Sequence, residues 1–415
     1  MEVEQIREGK AMLSLTTRRI AFFLGSGVSI PAGIPTTRNI TEQVLSGEGV
    51  MRNTDGNYYF GKSLYDHMGI PDECVPRVVK FLNRIKVEID LYYSNDTGRF
   101  TNYEDLYYIT SQIYDSELGE YDNPVVQSFI DKILPNICSL LIKDDSKMRE
   151  EWKLHELARE AKNYILCVVW KMLNKKPNCI DHLNSIKDAC MDDQLSNIDI
   201  FTLNHDTILE QCLSQSGIQV IDGFGKPRND VRYWDPELFD TETCKVKLFK
   251  LHGSVNWFIF RSNSGDRENE SRGIPLNSNF WHTKSPQGQM QRPVNGQPML
   301  LIGTFNKMLQ YISGIYFELH HLFYRHFRHT QHLAVCGYGF GDKGINTRIL
   351  EWVYLSPDKR ILLIHPDPEK LKNSARGAIS KRWDELINQK KLTILQKKIE
   401  ETTWQDIRDS LLKVE

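Results

Sequence analysis

The fold of this chain is decided by the stretch Ile20-Ala-Phe-Phe-Leu-Gly25-Ser26-Gly27-Val-Ser29-Ile-Pro-Ala-Gly33-Ile-Pro35-Thr-Thr-Arg38. Its apolar residues 20–24 run directly into Gly-Ser-Gly, which predicts a buried strand that ends in a tight turn. Gly25 and Gly27 carry no side chain, so the backbone there can approach a ligand closely, and exposed N–H groups in such a turn suit a pyrophosphate. A core strand that ends in a flexible loop would give the same pattern, so the rest of the chain must decide.

The composition is typical of a globular protein with one large domain or two of ordinary size. The chain has 415 residues, of which 40% are hydrophobic and 26% charged, and its net charge is −2. This balance gives no sign of direct nucleic-acid binding. No apolar run approaches the ~20 residues that cross a bilayer, and the acidic start Met1-Glu-Val-Glu is unlike a signal peptide. We therefore expect a cytoplasmic protein with no membrane contact.

The cysteines and histidines give little indication of a metal site. The eight cysteines are scattered, and none forms a C-x-x-C pair, so a zinc site with paired ligands is not expected. The histidine-rich segment near residue 326 favours a solvated or interface face over a metal site. Its members are His320, His321, His326, His329 and His332.

Hydrophobic periodicity predicts an α/β fold in three parts. Short apolar runs alternate with helical patterns over residues 1–45 and 195–375, which predicts a Rossmann-like, mainly parallel sheet with helices on both faces. Residues 46–194 carry helical stripes and few β-branched runs, so we expect a mostly helical insertion there. Residues 376–415 are a C-terminal extension to which the sequence assigns no role.

Polar residues collect where the predicted strands end. In an open parallel sheet, ligands bind beyond the carboxyl ends of the strands, so these residues predict one composite pocket. Turn chemistry alone would also enrich Gly, Asn and Asp there. The ends in question are Gly25-Ser26-Gly27, Asn204-His205-Asp206, His252-Gly253-Ser254, Gly337-Tyr338-Gly339 and His365-Pro366-Asp367.

These residues resemble the motifs of the sirtuins. In chain order they are Gly25-Ser-Gly-Val-Ser29 with Gly33-Ile-Pro35 and Arg38, Thr202-Leu-Asn204-His-Asp206, Leu251-His252-Gly253-Ser254-Val255, and Cys336-Gly337-Tyr-Gly-Phe-Gly-Asp342. Protein-deacylating sirtuins carry a zinc module with two C-x-x-C pairs, which this chain lacks. The long helical block before the Asn element is similar to the sirtuin-like enzymes of bacterial antiphage defence that hydrolyse NAD+.

The resemblance implies NAD+ as substrate and no further cofactor or zinc. It implies an NAD+ glycohydrolase that releases nicotinamide and ADP-ribose, with Asn204 orienting the ribose or a water and His252 removing a proton. The expected NAD+-binding residues are Gly25, Ser26, Gly27, Ser29, Arg38, Asp206, Gly337, Gly339 and His365.

Each assignment has a plainer alternative in the same residues. Asn204 and Asp206 could simply cap the helix that follows them. His252 could be a satisfied histidine at a strand end, and Arg38 could be a surface residue.

The resemblance also implies a biological setting. Enzymes of this kind act as defence effectors that deplete NAD+, and we expect a homo-oligomer, with a HerA-like hexameric ATPase as a possible partner. Two alternatives remain open. The chain could be a sensor that binds NAD+ or ADP-ribose without cleaving it, or a sirtuin-type protein deacylase or ADP-ribosyltransferase.

Overall fold

The computed structural model describes residues 18–61, 73–94, 99–119, 123–144, 151–241, 243–262, 270–277, 279–304 and 306–412. Parts of the three predicted domains, including residues 1–17 and 413–415, lie outside these ranges. By its internal contacts the chain divides into two compact units. The first contains Met1–Ile34, Lys176–Met299 and Gln310–Glu415, and the second contains Pro35–Lys175 and Leu300–Leu309.

The strands of the described residues are, in chain order, β1 (Arg18–Leu24), β2 (Val50–Arg52), β3 (Tyr58–Phe60), β4 (Leu195–Thr202), β5 (Val220–Ile221), β6 (Val231–Tyr233), β7 (Val246–Lys250), β8 (Gly253–Ser262), β9 (Ser271–Pro275), β10 (Thr283–Lys284), β11 (Met290–Leu300), β12 (His332–Cys336), β13 (Arg360–Ile364) and β14 (Leu392–Leu395).

The α-helices of the same residues are α1 (Thr37–Ser46), α2 (Cys74–Tyr93), α3 (Tyr103–Leu118), α4 (Val125–Leu141), α5 (Leu154–Leu173), α6 (Asn184–Met191), α7 (Ile208–Gln215), α8 (Asn306–Gln310), α9 (Gly314–His329), α10 (Lys343–Tyr354), α11 (Pro368–Ser374), α12 (Ala378–Asn388) and α13 (Trp404–Leu412). Short 3₁₀ helices cover Ser26–Ala32, Asp181–Leu183, Pro236–Asp240 and Ile399–Glu401. Among the residues described, none of these helices combines the length and apolar character that a membrane span requires.

A seven-stranded parallel sheet forms the centre of the first unit. Its order is β14-β13-β12-β1-β4-β7-β5, and helices lie between most strands in the chain, so the predicted Rossmann-like α/β fold is confirmed. Phe23 and Phe201 join a core with Phe323 and Trp352 of α9 and α10. Phe22, on the opposite face, is only 1% exposed, so both faces of the sheet are covered.

A second, antiparallel sheet in the first unit was not predicted from the sequence. It has the order β10-β11-β8-β9-β6, and β8 begins only three residues after β7 ends. The apolar run Met299–Ile302, expected as one of the alternating strands, contributes only its first residues to the end of β11 in this sheet.

The C-terminal residues belong to the first unit. β14 pairs in parallel with β13 and forms one edge of the large sheet. Trp404 begins α13, and its indole N–H donates to the Asp192 carboxylate at 2.8 Å. Residues 376–415, to which the sequence assigned no role, therefore contribute an edge strand of the parallel sheet.

The second unit contains helices α1 to α5 and the short hairpin β2–β3. Thr36 caps α1, since its hydroxyl accepts from the amide of Asn39. Buried Glu160 on α5 accepts hydrogen bonds from Arg52 and Tyr58 of the hairpin. This ion pair fixes the hairpin against the helices.

Candidate active site

The register of the parallel sheet brings the predicted strand ends to one edge. Leu24 is paired with Cys336 on one side and Thr202 on the other, and Thr202 is paired with Lys250. Cys336 is paired in turn with Ile364. The residues that follow these positions therefore emerge side by side, and they include all the predicted site residues except Arg38.

The two Gly-rich loops are in direct backbone contact. The amide of Gly25 donates to the carbonyl of Cys336 at 3.0 Å, and the amide of Gly27 donates to the carbonyl of Gly337 at 2.9 Å. A Cβ at Gly27 would lie 2.7 Å from Cα of Gly337, and Gly337 itself has a φ of +64°. These glycines therefore allow the loops to approach each other. Ser26, between the first two, is exposed.

Asn204 connects the β4 end to the first loop. Its Nδ2 donates to the carbonyl of Gly25 at 3.1 Å and to Oγ of Ser29 at 3.0 Å. Because a carbonyl oxygen can only accept, these contacts fix the orientation of the amide. Oδ1 of Asn204 is buried and has no hydrogen-bond partner among the residues described. A buried acceptor left open in this way costs roughly 1–3 kcal/mol, which a bound donor would recover.

Asp206 and Lys250 secure the loop after Asn204. The Asp206 carboxylate accepts from the amide of Ile208, the first residue of α7, at 3.1 Å, although Thr207 is the N-cap residue of that helix. The ammonium of Lys250, 2% exposed, donates to the Asp206 carbonyl and to Oε1 of Glu210. Burial raises the pKa of Glu210, although Lys250 acts against this shift.

The Lys250–Glu210 pair was not predicted from the sequence, although a lysine at the end of a buried strand is a signal of a buried, paired charge.

His252 lies at the end of β7 in a cluster of aromatic and acidic groups. Its Nε2 is 3.0 Å from the hydroxyl of Tyr311 and 3.5 Å from Oδ2 of Asp342. The Tyr311 hydroxyl donates to that same Oδ2 at 2.7 Å. The ring of His205, the residue after Asn204, is centred 6.2 Å from the His252 ring. Tyr311 carries no motif and was missed in the sequence.

The neighbouring Gly253 has a φ of +78°, and a Cβ there would meet the Met299 carbonyl at 2.1 Å. The tight turn after His252 therefore requires glycine.

The histidine-rich segment is more buried than expected. The ring of His320 stacks on Tyr311 with centroids 3.8 Å apart, and burial lowers the pKa of His320 to about 3. His326 lies 3.3 Å from the Asp199 carboxylate and packs against Phe249. These two histidines therefore do not lie on a solvated face, which was one of the two predicted readings of the segment. Among the described residues, no three His, Cys, Asp or Glu side chains are grouped as metal ligands.

Arg38 lies in the second unit, on α1. Its guanidinium donates to Glu42 at 2.9 Å, and its side chain is 87% exposed. His365 follows β13, where its Nδ1 accepts from the amide of Asp367, and burial lowers its pKa. Nothing lies within 4 Å of a Cβ built at Gly339, so this part of the late loop has open space beside it.

The space next to Asn204 is small in this conformation. A cavity lined by Ser29, Asn204, Asp206 and Lys250, among others, measures about 10 Å³. This is on the order of one water molecule. The amide and carboxyl groups at this point are therefore packed together.

Part of the chain, including much of this edge of the sheet, matches a known protein family. Residues 199–394 match the family described as SIR2-like domain. The match runs from within β4 to within β14, so it includes Asn204, His252 and the Gly337 loop, and it leaves out the first Gly-rich loop.

The other comparisons add little. No curated protein matches the chain at a significant level. Among solved structures, the chain is similar to one described as a Sir2 homolog–NAD complex, with 13% identity and a TM-score of 0.36 over 95% of this chain and 90% of the other. With so low a TM-score, this likeness carries no weight for function.

Proposed function

We propose that this protein is an NAD+ glycohydrolase that cleaves NAD+ to nicotinamide and ADP-ribose. The observation that carries the proposal is the open, buried Oδ1 of Asn204 at the end of β4, beside the β7 end that carries His252. Residues 199–394, which include both, match the SIR2-like domain. An amide acceptor and an imidazole at adjacent strand ends suit a substrate that presents hydroxyl groups.

The chemistry requires little from the protein beyond placement and charge. The nicotinamide of NAD+ is a cationic leaving group, so its departure needs no proton donor, and positive charge develops on the ribose. Asn204 Oδ1 would accept from a ribose hydroxyl or from the attacking water and so orient it. His252 would take the proton that the water or hydroxyl loses.

The pyrophosphate would have to use groups other than the two glycine amides named in the sequence analysis. The amides of Gly25 and Gly27 already donate to Cys336 and Gly337. Ser26 is exposed beside them and has a hydroxyl to donate. We propose that Ser26 contributes to phosphate binding and that the glycines shape the loop.

The test is a product assay on the full chain. Purified protein is incubated with NAD+, and nicotinamide and ADP-ribose are separated by chromatography. We expect both products, and we expect Asn204→Ala and His252→Ala to abolish them. Asn277→Ala and His329→Ala, which change exposed residues away from the site, are the matched controls and should keep full activity. Full activity in both site variants would overturn the proposal.

The same assay separates the alternatives. Tight NAD+ binding without nicotinamide release would support the sensor and overturn the glycohydrolase. Nicotinamide release that depends on an added acetylated peptide would support a deacylase.

We further propose that the enzyme is a homo-oligomer that acts in antiphage defence, with a HerA-like ATPase as partner, as the resemblance implies. Cells expressing the pair should lose NAD+ on phage infection, and the Asn204→Ala variant should prevent this loss. Phage protection that persists in that variant would contradict a role through NAD+ cleavage.

A further inference from the structure

We propose that Tyr311 and Asp342 form a relay that holds the neutral imidazole of His252 with its proton on Nε2, so that Nδ1 is the nitrogen that accepts a proton. The part of this inference that concerns the reaction rests on the proposed function. The part that concerns the tautomer is a property of the resting protein. Tyr311 and Asp342 are positioning residues in this proposal, since they act through His252.

The direction of the hydrogen bonds follows from the chemistry of the three groups. A carboxylate can only accept, so the Tyr311 hydroxyl donates its single hydrogen to Oδ2 of Asp342, at 2.7 Å. Toward His252 the same hydroxyl oxygen can then only accept. Nε2 of His252, 3.0 Å away, must therefore carry the proton. A neutral imidazole with Nε2–H has its acceptor lone pair on Nδ1.

The packing holds the hydroxyl of Tyr311 in place. The His320 ring stacks on Tyr311 at 3.8 Å and 28°, and the His252 ring lies at 6.0 Å and 25° to Tyr311. Asp342 is held by its other oxygen, since Oδ1 accepts from the amide of Ile345 at the start of α10. Each member of the relay therefore has its orientation set by a second contact.

The relay also prepares the site for the charge that catalysis creates. When Nδ1 takes a proton from the water or ribose hydroxyl, the ring becomes an imidazolium and Nε2 keeps its own proton. Oδ2 of Asp342 lies 3.5 Å from Nε2 and stabilises that positive charge without itself being protonated. Tyr311, His205 and His320 are further titratable groups that face His252 within the described part of the chain.

A direct test is the ¹⁵N NMR spectrum of the histidine rings in the full chain, with His252 assigned from a His252→Gln sample. At pH 8 we expect the Nε2–H tautomer for His252. Tyr311→Phe keeps the stacked ring and removes the hydroxyl, so we expect it to mix the two tautomers. Tyr324→Phe removes an exposed hydroxyl from α9 and should leave the spectrum of His252 unchanged.

The Asp342→Asn variant gives the sharpest contrast. An asparagine can still cap α10, but its amide would donate to the Tyr311 oxygen and reverse the relay. The hydroxyl would then donate to Nε2, so His252 should shift to the Nδ1–H tautomer. Adding Tyr311→Phe to Asp342→Asn should remove this reversal and return mixed tautomers.

The kinetic readout separates positioning from general damage. We expect Tyr311→Phe to lower kcat about 10-fold or more with little change in KM. Asp342→Asn should be slower than the double variant, whereas independent structural damage would make the double variant the slowest.

Three results would overturn the relay. They are an Nδ1–H tautomer of His252 in the parent chain, a tautomer unchanged by both Tyr311→Phe and Asp342→Asn, or a double variant slower than either single variant. If the tautomers behave as expected but NAD+ is not cleaved, the relay stands and the proposed function fails.

Discussion

The amide of Gly27 donates to the carbonyl oxygen of Gly337 at 2.9 Å, which brings the two Gly-rich loops of the sheet edge into backbone contact. Neither residue has room for a side chain. A Cβ at Gly337 would lie 2.4 Å from the amide nitrogen of Val28, and one at Gly27 would lie 2.7 Å from Cα of Gly337. Residues more than three hundred positions apart therefore depend on each other for their conformation.

We expect Gly27→Ala to destabilise the protein by about 2 kcal/mol or more, since the added methyl must push apart two backbones that cannot move independently. Gly341→Ala is the matched control, because nothing lies within 4 Å of a Cβ at Gly341. Chemical denaturation of both variants measures the free energy of unfolding. Equal stabilities would show that the loops separate easily.

The parallel sheet was predictable because each of its strands can be recognised from a short local stretch of sequence. After a first polar residue, the runs His332–Cys336 and Arg360–Ile364 are apolar to their ends, where turn residues follow, and both form strands with those bounds. Asn204 and His252 could be named for the same reason, since each follows such a strand by two residues. Parallel pairing then placed them at one edge without knowledge of distances.

The rest of the site depends on contacts that leave no local pattern. Tyr311 lies in a short segment between α8 and α9, and its importance comes from His252 and Asp342, which are distant in the sequence. The antiparallel sheet has strands interrupted by polar residues and glycine, such as Gly273 in β9, so its periodicity is weak. The sequence analysis explained the glycine at position 27 by close contact with a ligand, whereas in the structure a side chain there would collide with Gly337.

We expect Asn204→Asp to lose activity by at least about 100-fold although it preserves the shape of the side chain. A carboxylate oxygen would replace Nδ2 and face the Gly25 carbonyl at 3.1 Å, so two acceptors would oppose each other. The buried charge should also lower the free energy of unfolding by about 2 kcal/mol. The measurements are NAD+ turnover and urea denaturation at pH 7.5.

A matched comparison for this variant is Ser29→Ala. It removes only the acceptor of the second Nδ2 hydrogen bond, at 3.0 Å, and leaves the contact with Gly25. We expect a smaller loss of activity than in Asn204→Asp. Loss in Ser29→Ala equal to that in Asn204→Asp would indicate that Ser29, not the Asn204–Gly25 contact, dominates the site.

Lys250→Met should destabilise the first unit by about 3 kcal/mol, because it leaves the Glu210 carboxylate without its cation and the Asp206 carbonyl without its donor. Adding Glu210→Gln removes the unpaired charge and should recover part of the loss. Denaturation of the two variants measures this difference. In Lys372→Met, where the ion pair with Asp384 is on the surface, we expect little change. A double variant less stable than Lys250→Met alone would contradict a buried pair.

Acid should destabilise the protein in part through His320. Its folded-state pKa is about 3, whereas an unfolded histidine has a pKa near ~6.5, so the unfolded chain binds more protons between these values. The free energy of unfolding therefore falls as the pH is lowered from 7 to 4, with a contribution of at most about 1.4 kcal/mol per pH unit from this one group.

The His320→Phe variant keeps a ring against Tyr311 and removes the titrating group, so its stability should fall less steeply over the same range. The slope should not vanish, since burial also lowers the pKa of His182 and His365. His321→Phe, at the exposed neighbouring position, is the control and should keep the slope of the parent chain. Denaturation midpoints measured at half-unit steps from pH 7 to pH 4 give the comparison. Parallel plots of stability against pH for the parent and His320→Phe would show that His320 gains its proton as easily in the folded chain as in the unfolded one. The stacking of His320 on Tyr311 would then not prevent a charged ring beside His252.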